Sequence, residues 1–524
     1  MKGYDMRRYV NITLVIATAL TLHSSCKNEN SWGESPKQRE SIHDKVVHIE
    51  PELITDIPEV SRWCDRLDLK KHRITVGDAD LYVEEEGKGI PLVLINGGPG
   101  GTHHYFHPWF SRAKGYARVI YYDQRGCGLS DFKPGSSGYS VGQAVEDLDA
   151  IRKALDIKKW VILGYSYGGF LGQYYTITHP EHTAGLILLG ASPGMRADMG
   201  PSRQNEFLSE EEKSRKKEIR LELQKLSLKT KMSRKRIIQL TIYNNFLNGD
   251  WKRQNYYRPS AERLAQMALY EWDHDQNFNE IMNSSANKID LTGAFEGNPI
   301  PTLILEGKWD LTWSEKKSEM LHTNHPKAEM VLFEQAGHGI YDEDPEPFFT
   351  VLKDFIQNLP EVTPEEIAGY KQILKVWDER RKASPEYMVE SFGWGLKSSR
   401  NIARRYTKDW LDKTDNPKML MRIGLALYDV ERYEEALYVF QRMHQVAAEE
   451  KSAEREAAAL IWQGHMCDLL EKRAEAIKHY QRAADMNIDD IWMHGQYDLE
   501  YSLSPYAEER SRNPFRRIEN KIPD

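Results

Sequence analysis

One serine sits between two glycines in Gly164-Tyr-Ser166-Tyr-Gly168, after the apolar run Val161, Ile162, Leu163 and before a helix-like run from Phe170 to Thr178. Gly-x-Ser-x-Gly between a buried strand and a helix makes a nucleophile elbow, whose small residues let the backbone turn tightly and leave the hydroxyl clear of the strand end. A serine hydroxyl is a poor nucleophile at neutral pH and needs a histidine base that is itself held by a carboxylate. In sheets with such an elbow the chain order is serine, acid, histidine, each at a strand end. Asp310 follows the buried strand ending at Glu306, in Gly307-Lys-Trp-Asp310, and His338 follows the strand ending at Phe333, in Ala336-Gly-His-Gly339. Taken singly, Asp310 is a loop carboxylate and His338 a surface histidine. At successive strand ends with Ser166 they read as a catalytic triad. Glu306, inside its strand or at its end, would reach His338 less easily.

The tetrahedral intermediate of acyl transfer needs two backbone N–H donors aimed at its oxyanion. One is expected from Tyr167, directly after the nucleophile. The other is expected from Gly98, in the loop Asn96-Gly-Gly-Pro-Gly-Gly101. His103, His104 and His107 lie close by but precede the serine, the wrong order for its base. They read as pocket lining or a helix cap. No carboxylate pattern accompanies them in sequence, so no metal site is expected, and the mechanism calls for no cofactor.

These groups need a scaffold, and the pattern supplies one. Arg73 to Val76 and Ala79 to Glu86 alternate like two antiparallel strands joined at Gly77-Asp78. Pro91 to Ile95, Arg118 to Tyr122, Val161 to Leu163, Gly185 to Leu189, Pro301 to Glu306 and Glu329 to Phe333 are short apolar runs, as in strands covered on both faces. An amphipathic helix from Val141 to Leu155 precedes the elbow strand, and Phe348 to Leu359 supplies a closing helix. Strands alternating with helices imply a parallel sheet. Residues 195–297 read as helices, with Glu210 to Leu226, Ser233 to Leu247 and Ala261 to Glu271 forming an inserted cap. The core is expected over 61–194 and 298–360.

Beyond Pro360 the strand signal disappears, and residues 361–524 are expected to be helical. Pro417 to Met443 and Glu454 to Ala484 align as two helical hairpins: Gly424 with Gly464, Ala436 with Ala476, Phe440 with Tyr480. Glycine and alanine allow close helix contact, and the aromatic fills the gap. The pattern resembles tetratricopeptide repeats, whose period is about 34 residues. The longer spacing here is expected to fall in the linker from Ala447 to Ala453. Two repeats are few for an independent solenoid, which points to packing on neighbouring helices, a protein partner or self-association.

The chain has 524 residues, 40% of them hydrophobic, and a formal charge of -8. Basic residues between Lys213 and Arg236 are interleaved with acidic ones, a solvated helical face, and nothing points to nucleic acid. Lys2, Arg7 and Arg8 precede an apolar run from Val10 to Leu22 that is too short for a comfortable membrane span. With Ser24-Ser25-Cys26 after it, this reads as an export signal over residues 1–25, with lipidation at Cys26, anchoring the chain in a bacterial cell envelope. His23 stands where a lipobox prefers an aliphatic residue. Residues 26–60 are then a tether. Cys64, Cys127 and Cys467 match no metal spacing, and no disulfide framework is expected.

Gly97-Gly-Pro-Gly100, Asp123-Gln-Arg-Gly-Cys-Gly-Leu-Ser130 and Gly164-Tyr-Ser-Tyr-Gly-Gly169 together resemble the proline iminopeptidases (prolyl aminopeptidases), over about Arg73 to Leu359. The resemblance implies an α/β-hydrolase fold with an inserted helical cap, followed here by an all-α repeat-like domain. It also implies removal of an N-terminal residue, often proline, from short peptides. Such enzymes hold the substrate's ammonium with acidic cap residues, for which Glu271 is the candidate and Asp273 the second choice. Otherwise both are surface helix positions. The family usually has histidine before the glycines, where this chain has Asn96. An esterase or amidase for small non-peptide substrates is the alternative, because the same core serves many acyl transfers. A binding protein built on an inactive core fits less well with an intact triad, elbow and glycine loop.

Overall fold

The computed structural model describes residues 39–132, 138–192, 194, 206–275, 277–286, 289–311, 315–382, 396–407, 411, 414–488, 491–494 and 499–516. The chain divides into two compact units, residues 1–375 and 376–524.

The first unit is an α/β-hydrolase core with a cap. Strands β1 (Lys70–Val76) and β2 (Ala79–Gly87) form a hairpin, with Val76 opposite Ala79. Gly77 turns it at φ +61°, a left-handed conformation that glycine adopts without a Cβ clash. β3 (Ile90–Ile95), β4 (Ala117–Tyr122), β5 (Trp160–Tyr165), β6 (Thr183–Leu189), β7 (Thr302–Gly307) and β8 (Glu329–Phe333) complete an eight-stranded mixed sheet in the order β1-β2-β4-β3-β5-β6-β7-β8. β2 pairs antiparallel with β1 and with β4, and every other pairing is parallel. Every residue of β5 and β7 is buried, which is why their sequences read as unbroken apolar runs. Helices α1 (Val141–Ala154) and α2 (Tyr167–Thr178) cross over between parallel strands. Parallel strands bring the C-terminal ends of β3, β5, β7 and β8 to one edge of the sheet, and every expected catalytic group lies in a loop at that edge.

Between β6 and β7 lie the cap helices Glu210–Thr230, Arg234–Leu247, Ala261–Gln266 and Phe278–Ala286, with a π-helical turn at Met267–Glu271. The longest opens with a capping box, Ser209 and Glu212 each bonding the other's backbone N–H.

Two boundaries differ from the sequence expectation. The stretch 26–60 is not a free tether over its described part. Ile42 N–H donates to Tyr256 O (2.9 Å), Glu50 N–H to Asn248 Oδ1 (2.7 Å), and the Asn244 amide binds both the N–H and the carbonyl of Ile54 (2.8 Å each). Ile57 is buried among the cap residues Ile219, Leu223 and Leu240. Apolar residues in 41–60 therefore strap this segment to the cap. Cys26 and the stretch 1–38 lie outside the described residues. At the other end, the units divide inside helix Pro364–Lys382 rather than at Pro360. Val362 and Ile367 pack with Ile300, and Tyr370 OH donates to Ala294 O (2.8 Å), which holds the first part of this helix to the core.

The second unit contains the helical hairpins Pro417–Asp429 with Tyr433–Glu449, and Ala453–Leu469 with Arg473–Asp485. A Cβ on Gly424 would meet the Phe440 ring at 2.5 Å, and one on Gly464 the Tyr480 ring at 2.4 Å. The aligned glycine and aromatic thus pack on each other within each hairpin. Phe440 also stacks on Trp462 of the next hairpin (centroids 5.5 Å apart). The long repeat spacing does not lie in the linker. Helices Tyr433–Glu449 and Ala453–Leu469 have 17 residues each, and three residues join them. A short antiparallel pair, Ile491–His494 with Leu499–Ser502, interrupts the helical run, and helix Leu503–Arg512 follows it. Among the described residues no helix is long and apolar enough to cross a membrane.

Candidate active site

Ser166 ends β5 and begins α2, with φ +55° and ψ −119°. A non-glycine residue pays strain for a positive φ, so the surrounding structure must over-determine it. It does. Ser166 N–H donates to Leu189 O (2.9 Å), and Gly169 N–H donates to Ser166 O (3.0 Å). A Cβ on Gly164 would lie 2.3 Å from Gly168 O, and one on Gly168 would lie 2.2 Å from Ile95 O. Both flanking glycines are required sterically by the elbow.

His338 Nδ1 and Asp310 Oδ2 are 2.6 Å apart. Asp310 is 2% exposed, so this bond forms largely out of water, where it is strong. With Nδ1–H donated to the carboxylate, Nε2 carries the free lone pair. The loops are fixed by main-chain bonds: Trp309 N–H to Ala336 O (3.0 Å), Lys308 N–H to Phe333 O (3.0 Å), and His338 N–H to Gln254 O of the cap (2.5 Å). The Tyr165 ring lies 4.8 Å from the His338 ring, linking the residue before Ser166 to the imidazole. Glu306 is buried within β7 and accepts from Ser318 Oγ (2.5 Å).

The glycine loop lies against the elbow: a Cβ on Gly97 would be 3.1 Å from the Ser166 Cβ. Among the described residues no acceptor takes the N–H of Gly98 or Tyr167. Asn96 has a definite task. Its amide donates to Gly101 O and Tyr122 O (3.2 Å each), joining the two ends of the loop to β4. Asp123 steadies the loop from below, accepting from His103 N–H (2.8 Å) and Leu129 N–H (2.7 Å). Arg125 is bidentate to Asp147 (2.9 and 2.8 Å) and also bonds Asp78 (2.6 Å). The Asp123-to-Ser130 motif is therefore scaffolding for the glycine loop. His103, His104 and His107 are buried rather than exposed to a pocket, and the cap of their 3-10 turn is Thr102.

From above, the cap closes on the same loop. Thr102 N–H donates to Glu271 O (3.1 Å) and Thr102 Oγ1 to Tyr270 O (2.8 Å). His274 and Asn279 crowd Gly100, where a Cβ would come within 2.6 and 2.7 Å of them. Glu271 is fully buried and is no surface helix position. Its Oε1 accepts from Arg263, which also reaches Asp342 Oδ2 (3.1 Å), while Glu271 Oε2 is buried without a hydrogen-bond partner. Burial pushes the Glu271 carboxyl up, against the opposing pull of Arg263. One guanidinium serves two carboxylates, and burial pushes both carboxyls up. Asp273 bonds Lys235 (2.5 Å) at a partly exposed position. Arg263 reaches Asp342 across 79 residues and Tyr165 meets His338 across the sheet edge, contacts that no local sequence pattern signals.

Residues 90–345 match the family described as alpha/beta hydrolase fold. Over 295 residues the chain is 28% identical to a proline iminopeptidase of Saccharolobus solfataricus, an alignment covering 52% of this chain and 87% of that protein. It is 27% identical over 287 residues to the proline iminopeptidase of Heyndrickxia coagulans, covering 53% and 93% respectively. Among solved structures, the proline iminopeptidase of Mycobacterium smegmatis aligns with a TM-score of 0.41 and 21% identity, over 57% of this chain and all of that one.

Proposed function

We propose that this serine hydrolase of the prolyl aminopeptidase type removes one N-terminal residue, proline by preference, from short peptides. The observation that carries the reading is the strained Ser166 elbow at the same sheet edge as the 2.6 Å His338–Asp310 pair. Ser166 Oγ attacks the carbonyl carbon of the first residue while His338 Nε2 takes its proton. Asp310 keeps the imidazole in that tautomer and stabilises the imidazolium. The N–H groups of Gly98 and Tyr167 bind the oxyanion. Collapse breaks the C–N bond as His338 returns the proton to the leaving amine, and water then releases the acyl group by the same steps. The substrate's ammonium meets Glu271 Oε2, the oxygen that Arg263 leaves unpaired. Kinship to proline iminopeptidases supports this assignment.

Arg263 also supports the alternative, an esterase or amidase, because it already compensates part of the charge on Glu271. Purified protein should release the chromophore from prolyl- or alanyl-nitroanilide, and Ser166→Ala should abolish this. Hydrolysis unaffected by Ser166→Ala would sink the mechanism. We further propose export and lipid anchoring at Cys26, from the basic, apolar and small-residue order of the first 26 residues. Cys26→Ala should then release the protein from membranes; unchanged fractionation would count against it. The helical hairpins are proposed to engage a protein partner or a second copy.

A further inference from the structure

Nineteen to thirty-nine residues of sequence separate Cys64, Glu84 and His103, yet the fold packs them together beneath the glycine loop. One donor atom from each lies within 4.8 Å of the other two, and all three side chains are buried. Cys64 comes from the 3-10 turn Trp63–Arg66, Glu84 from β2, and His103 from the turn that continues the glycine loop. His103 Nδ1 lies 2.9 Å from Asp123 Oδ2. A carboxylate on one ring nitrogen is the usual outer partner of a metal-binding histidine, because it fixes the tautomer and turns the other nitrogen outward as a donor. Neither ring nitrogen makes a well-aligned hydrogen bond, and Nε2 stands 3.6 Å from Glu84 Oε2. Such a distance is too long for a hydrogen bond. It matches the spacing of about 3.3–3.8 Å between neighbouring ligands on a tetrahedral ion with bonds of about 2.0–2.3 Å.

We propose that Cys64, Glu84 and His103 bind a zinc ion. His107 Nε2 lies 3.0 Å from Glu84 Oε2 and the Tyr82 hydroxyl donates to Oε1, so both hold the Glu84 carboxylate in place. Thiolate, imidazole and carboxylate together suit zinc rather than magnesium or calcium, which take oxygen ligands. No ligand is exposed, so the ion is structural and does not meet substrate. It joins the N-terminal segment, β2 and the turn after the glycine loop, and so stiffens the loop that carries Gly98. The sequence gives no hint of it, because its carboxylate and thiol come from distant elements. The competing account is an ordinary buried ion pair, with His103 protonated between Asp123 and Glu84.

The test is metal analysis of the full chain, carried on a tag without histidine and purified without chelator. About one zinc per chain is expected, falling at least about fivefold in both Cys64→Ser and Glu84→Gln. Cobalt substitution should give a near-ultraviolet thiolate-to-cobalt band that Cys64→Ser lacks. Should the variants fail to fold, wild-type protein decides: its Tm should fall on metal stripping and return with zinc but not with magnesium. Protein that takes up no zinc, or whose Tm ignores its removal, would establish the ion pair and overturn the site.

Discussion

Replacing Asp310 by asparagine isolates the link on which the proposed triad depends. The two side chains have nearly the same shape and Asp310 is almost fully buried, so the fold should persist. The chemistry should not. The 2.6 Å contact to Nδ1 holds because a carboxylate accepts there. An amide can present its NH2 instead, which makes Nδ1 the acceptor and puts the proton on Nε2, the atom that must receive the Ser166 proton. Loss of the correct tautomer and of imidazolium stabilisation costs a serine hydrolase about 10⁴-fold in kcat, or about 5.5 kcal/mol. KM should change little, since Asp310 contacts the base rather than the substrate. The assay is steady-state hydrolysis of prolyl-nitroanilide at saturating substrate, with Tm measured alongside. The control is Glu306→Gln, whose buried carboxylate bonds Ser318 instead of the base, so its kcat should stay within a few-fold of wild type. A loss below tenfold in a folded Asp310→Asn protein would refute the reasoning, and a larger loss in Glu306→Gln would move the acid to that residue.

Two further outcomes follow from the cap and its junction with the core. Glu271→Gln keeps the shape but removes the charge proposed to face the ammonium; a hydrogen bond to a charged group is worth about 1.5–3 kcal/mol, so KM should rise about 10- to 150-fold with kcat nearly unchanged. An unchanged KM would mean that Glu271 serves only Arg263. Asp344 is pushed up to about 6 by burial, above the usual value of about 3.9. A raised carboxyl binds its proton more tightly when folded, so the native state loses stability as pH rises from about 4 through about 6. Asp344→Asn removes that loss. Its gain at pH 8 is about 3 kcal/mol by the shift, and about 1–1.5 kcal/mol after discounting for partial exposure, with none at pH 4. Thermal melts at both pH values check it, and a destabilised variant at pH 8 would contradict it.

What was legible in the sequence is local. Gly164 and Gly168 announce the elbow because a Cβ at either would strike backbone within a few residues or on the adjacent strand, and apolar runs announce β3 to β8 because parallel strands are covered on both faces. The serine–acid–histidine order follows from the same topology. The unread part is long-range. Nothing near Glu271 in sequence says that Arg263 shares it with Asp342, and nothing near Asn96 says that its amide spans two loop ends. Ile42 and Ile57 look like isolated apolar residues in a polar stretch until the cap covers them. In the helical unit the aligned Gly424 and Gly464 showed the repeat, but not that its helices are lengthened.

The central claim is a serine hydrolase that requires a free substrate amine. The direct measurement is kcat/KM for prolyl-nitroanilide against its N-acetylated form, in wild type and in Ser166→Ala. The account predicts turnover of the free amine, little or none of the blocked compound, and loss of both in the variant. Turnover of the blocked compound or of short esters, with none of the free amine, would contradict it.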